Sequence, residues 1–65
     1  MKEKYIIGTF EWKSGSINDN IIKLLKEKGY PWHYNHFFQL EIDLFPAYYK
    51  VQYERIENDT FLVFV

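Results

Sequence analysis

Residues 61–65 read FLVFV, and no other stretch narrows the fold as much. The run has no polar residue at either parity, so a strand built from it has no face suited to solvent. It is apolar, β-prone, uncharged and free of proline, the marks of a segment that pairs with other chains when left open. Such a strand cannot be a free sheet edge. It is expected inside a sheet, beside a first strand in which Tyr5 and Ile7 are also apolar on the outward side. Unless residues 31–37 fold back across it, that outward face should carry a patch of Tyr5, Ile7, Leu62 and Phe64. A patch of this kind points to a homodimer seam or a second contact with a partner.

The rest of the chain supplies the neighbours that FLVFV needs. Residues 4–13, KYIIGTFEWK, are rich in strand formers, with Gly8 as the position for a bulge or a close approach. Residues 17–28 place Ile17, Ile21, Leu24 and Leu25 on one helical stripe. Ser16 suits the N-cap and Asp19 the positive first turn. Lys26 and Lys28 suit the negative end, Gly29 the left-handed cap, and Pro31 forbids continuation. Residues 37–44 alternate, with Phe38, Leu40, Ile42 and Leu44 inward and Gln39, Glu41 and Asp43 outward. Residues 48–56 alternate as well, Tyr49, Val51 and Tyr53 against Lys50, Gln52 and Glu54, which allows a cross-strand pair of Glu41 with Lys50. ENDT at 57–60 is a turn, making 48–56 and 61–65 a hairpin. The pattern predicts an α+β fold in β-α-β-β-β order, one helix packed on a four-stranded, mainly antiparallel sheet, with 1–65 a single compact domain.

A chain this short buries only about 60% of its unfolded surface, so its core has little to spare. Cysteine is absent, which excludes disulfides and thiolate metal sites. Six Phe, six Tyr and two Trp supply the mass instead. Eight basic residues against nine acidic ones leave a net charge of −1. Nucleic-acid binders normally carry a basic excess, because phosphate neutralisation supplies most of their affinity. No apolar run approaches the ~20 residues of a membrane helix, and the opening MKEKYIIGTFEWK is too short in apolar residues for a signal peptide. A cytoplasmic protein with no membrane contact is expected.

Chemistry-bearing residues concentrate in PWHYNHFF, residues 31–38. His33 and His36 could share a metal on a helix, but in an extended segment they point apart, and Glu41 or Asp43 would have to supply the third ligand. A His with Glu or Tyr could run acid–base cleavage of RNA, yet Arg55 is the lone arginine and no nucleophile elbow, phosphate loop or carboxylate pair is present. No metal, cofactor or catalytic residue is assigned. Aromatic rings can stack single-stranded bases, which makes a nucleic-acid-binding module the alternative function. The reading that fits best is a non-catalytic protein–protein interaction module that inhibits a larger protein. Interface centres favour aromatic anchors, and a proline-stiffened loop loses little entropy on binding. Trp32, His33, Tyr34 and Phe37 are the expected contacts. A tiny, cysteine-free, near-neutral chain without catalytic motifs has the format of immunity proteins and of small phage or mobile-element inhibitors.

Overall fold

Ser16 opens the helix as its residue type implies: its hydroxyl accepts the Asp19 N–H at 3.0 Å. The helix α1 runs Ile17–Lys28 and closes at Gly29, whose φ of 80° is the left-handed conformation that glycine adopts without strain. The Gly29 N–H reaches the Lys26 carbonyl and the Tyr30 N–H the Leu25 carbonyl, a paired C-terminal cap. Ile21, Leu24 and Leu25 are buried, and Ile17 is half-buried.

The computed structural model describes residues 4–65. Six strands accompany the helix: β1 Ile6–Glu11, β2 Trp32–Tyr34, β3 Leu40–Leu44, β4 Ala47–Lys50, β5 Gln52–Glu57 and β6 Thr60–Phe64. They form two three-stranded antiparallel sheets, ordered β1-β6-β5 and β2-β3-β4. The α+β class holds, whereas the β-α-β-β-β order and the four-stranded sheet do not. Two local events account for the difference. Residues 32–34, expected as loop, pair with β3 and add a strand. Residues 48–56, expected as one strand, bend at Val51 and are shared between the sheets. The Val51 N–H still bonds the Leu40 carbonyl of the β2-β3-β4 sheet, while Gln52 is already opposite Phe64 in the other. A segment that switches sheets at a bend makes the corner of a two-sheet fold.

FLVFV lies where its composition requires. β6 is the central strand, with β1 and β5 on either side, and the Tyr5 and Val65 backbones exchange both hydrogen bonds beyond the end of the ladder. The helix and both sheets share one core of Ile7, Ile21, Leu24, Leu25, Leu40, Ile42, Val51 and Val63. Each such side chain contributes about 1.5–3 kcal/mol by leaving water.

A bulge decides the face of strand one. The register with β6 jumps between Ile6↔Phe64 and Gly8↔Val63, leaving Ile7 without a partner. The extra residue resets the alternation, so Ile7 turns into the core and Ile6 takes the exposed side. Gly8 sits under the helix. A Cβ there would stand 3.4 Å from Lys28 Cε and 3.5 Å from both Leu24 methyl carbons. That is ordinary contact distance, so Gly8→Ala should fold with an unchanged or slightly raised melting temperature. Gly8→Leu should lower it by the equivalent of about 1–3 kcal/mol, because the branched carbons have nowhere to go. Equal melting temperatures for the two variants would show that the helix does not rest on Gly8.

Candidate functional site

The β2–β3 hairpin is built around Asn35. Its side-chain oxygen accepts the N–H groups of Phe37 at 2.8 Å and Gln39 at 3.0 Å, and its amide donates to Gln39 Oε1 and Glu41 Oε2, each at 3.1 Å. The Asn35 N–H bonds the Gln39 carbonyl, and the Phe38 N–H bonds the Asn35 carbonyl. The loop therefore closes as a turn followed by one left-handed residue. That residue is Phe38, at φ 58°. Glycine or asparagine is usual at such a position, because a Cβ costs roughly 1–2 kcal/mol there. The tip consequently presents two phenylalanines to solvent, Phe37 at 81% and Phe38 at 83% of full exposure. Phe38 was expected to point inward in register with Leu40. The strand in fact starts at Leu40, and the Asn35 loop turns Phe38 outward.

Strand geometry separates the four contacts expected in this segment. Trp32, opposite Ile42, and Tyr34, opposite Leu40, face the core side, their rings edge to face at 5.8 Å. Trp32 is half-buried against the core, and Tyr34 is exposed. His33 points to the other face, since neighbouring strand residues alternate. Phe37 stands at the tip. Trp32, His33, Tyr34 and Phe37 therefore do not share one loop surface.

His33 is held between two carboxylates. Its Nδ1 lies 2.7 Å from Asp43 Oδ1 and its Nε2 2.9 Å from Glu41 Oε1. A doubly protonated ring can donate to both; a neutral ring can donate to only one. Both ring nitrogens thus face carboxylate oxygens at hydrogen-bond distance. Glu41 and Asp43, the carboxylates a metal site would have borrowed, are instead the ring's hydrogen-bond partners. No group of three His, Cys, Asp or Glu side chains among the described residues is arranged to hold a metal ion. Tyr48 packs edge to face on the imidazole at 4.8 Å. Lys50 stands opposite Glu41, in the register expected of that pair.

The second expected patch divides in the same manner. Ile7 is in the core because of the bulge, and Phe64 is buried with the Lys4 ammonium 4.5 Å from its ring centre. The same ammonium bonds Glu54 at 3.1 Å. Leu62 is half-buried and Tyr5 exposed. Tyr5, bonded through its backbone to Val65, lies beyond the end of β1 at an opening between the sheets. There it lines an open apolar cleft of about 350 Å³ with Leu44, Phe45, Pro46, Tyr49 and Val65. Phe45, in the two-residue β3–β4 turn, is 99% exposed. Neither Phe38 nor Phe45 stood out from sequence: no glycine marks the left-handed position, and FPA reads as a mere strand break.

Tyr5 and Tyr30 meet through their hydroxyls at 3.3 Å. That hydrogen bond, then burial and the nearby Tyr5 charge, raise the Tyr30 phenol above its ordinary value of 10.0. The folded state thus holds this proton more tightly than the unfolded chain does. Its contribution to stability is present below pH 10.0 and is lost as pH rises through the folded pKa. Urea midpoints followed upward from neutral pH should fall more steeply in the wild type than in Tyr30→Phe. Parallel curves would show that the hydroxyl pair is not linked to folding.

No helix among the described residues is long and apolar enough to cross a membrane. No protein-family model matches the chain, and searches of curated proteins and of solved structures returned no match.

Proposed function

We propose that this chain is a small, non-catalytic protein–protein interaction module that inhibits a larger protein, and that the tip of the β2–β3 hairpin is its contact surface. The exposure of Phe37 and Phe38 carries this reading, together with the left-handed backbone at Phe38. Strained backbone concentrates at functional sites, where the surrounding structure holds it. Here Asn35 does the holding, and the strain serves to keep two rings outside. A braced hairpin meets a partner with little loss of backbone freedom. The format agrees with immunity proteins and with phage or mobile-element inhibitors acting in the cytoplasm.

The test is affinity capture from cell lysate with wild type, a tip variant and a variant at the exposed Ile56 on the opposite sheet. Loss of the same captured protein with the tip variant alone supports the reading; identical recovery by all three removes it.

One observation favours the alternative, a single-stranded nucleic-acid module: Tyr48 presents an exposed ring. Its surroundings oppose it, since Asp43 is directly opposite and Glu41 stands beside the same histidine. Oligonucleotide binding that disappears with Tyr48→Ala would promote this alternative over protein binding.

A further inference from the structure

The hairpin tip and the apolar cleft lie at opposite ends of one strand. β3 leaves the tip at Leu40 and reaches the cleft at Leu44. Its five residues separate them by roughly 16 Å, so a chain cannot seat its own tip in its own cleft. From these positions we propose that the protein associates head to tail, with Phe37 and Phe38 of one copy entering the cleft of the next. The inference uses the same tip as the partner reading above but is independent of any partner.

Two features make a second copy the occupant, and a third sets the strength of the contact. The first is volume. A cavity of about 150 Å³ holds one benzene ring, so a cleft of about 350 Å³ has room for two phenyl groups. The second is charge. The cleft is lined by Tyr5, Leu44, Phe45, Pro46, Tyr49 and Val65, and the tip offers two phenylalanines, so seating one in the other strips water from no charged side chain. The third is area. Two phenylalanines bury roughly 300–500 Å² on the tip side, which keeps the pair of surfaces below the ~1,200 Å² of a standard stable interface. The contact is accordingly weak and reversible, leaving free tips at low concentration.

A head-to-tail contact has a signature that a symmetric dimer lacks, because its two surfaces can be destroyed separately. The tip variant is Phe37→Ser with Phe38→Gly; the cleft variant is Phe45→Asp, a position so exposed that the fold does not depend on it. Sedimentation velocity from roughly ten micromolar to one millimolar is the measurement, with circular dichroism to show that each variant is folded. The wild type should gain mass with concentration. Each variant alone should associate at least about tenfold more weakly, and an equal mixture of the two should form a two-chain complex and nothing larger. Tyr49→Lys, on the cleft wall, should behave as Phe45→Asp does. A wild type that stays monomeric, a variant that associates unimpaired, or a mixture that forms no complex would each overturn the proposal. A monomeric wild type whose tip variant still loses a captured protein sinks the head-to-tail contact alone. Head-to-tail assembly with capture unaffected by the tip sinks the partner reading alone.

Discussion

Ile42→Ala should remove a large share of the protein's stability. Ile42 is 0% exposed at the centre of the β2-β3-β4 sheet, in the cluster that joins this sheet to the helix and to β6. Removing its buried carbons costs the lost transfer free energy and leaves a cavity, about 2–5 kcal/mol together. At roughly 0.05–0.15 kcal/mol per residue, a chain of 65 residues has only about 3–10 kcal/mol to lose. The effect should be larger than in a big domain, because one small cluster serves three layers and no disulfide limits the unfolded chain. Thermal melts followed by circular dichroism would show it, with Ile56→Ala as the comparison. Ile56 is half exposed at the bulge in β5, and its truncation should change stability by no more than about 0.5 kcal/mol. If both variants melt alike, the core is not where these residues place it.

Replacing the tip should weaken binding while strengthening the fold. Phe38→Gly removes the Cβ that opposes the left-handed backbone, and stability should rise by about 1 kcal/mol. In a domain this small that raises the melting temperature by about 4–8 °C. Phe37→Ser makes the other half of the tip polar and costs the fold little, since the ring is 81% exposed. Together they should reduce partner capture by tenfold or more, in the range of an aromatic hot spot. The opposite signs are what matter. A variant that loses both stability and binding would mean that the phenylalanines pack in the folded protein, and one that gains stability with binding intact would remove the tip from the contact. Asn35→Ala is the complementary change. It orphans the Phe37 and Gln39 N–H groups and should free the tip without altering its rings.

Much of the fold could be read from local signals. Ser16, Asp19, Gly29 and Pro31 bound the helix because capping acts within one turn of chain. The ENDT turn marked the last hairpin for the same reason, although only residues from Gln52 onward pair with β6. The Asn35 hairpin was not legible: its left-handed residue is a phenylalanine, and the asparagine that makes the turn possible acts through hydrogen bonds to residues two and four further on. The expected contacts Trp32, His33, Tyr34 and Phe37 were close in sequence; pairing with β3 turned His33 away from Trp32 and Tyr34, and the Asn35 loop put Phe37 at the tip.

The composition of residues 61–65 by itself determined that they form a central strand, because a segment without a polar face is stable only when paired on both sides and covered. It could not determine what would cover it, or which neighbouring residues would join it inside. One extra residue between Ile6 and Gly8 turned Ile7 into the core, and one bend at Val51 turned a single sheet into two. Both depend on how the helix and strands pack, a balance among residues distant in sequence that no local pattern encodes. The same balance left Phe37 and Phe38 at one end of β3 and the apolar cleft at the other.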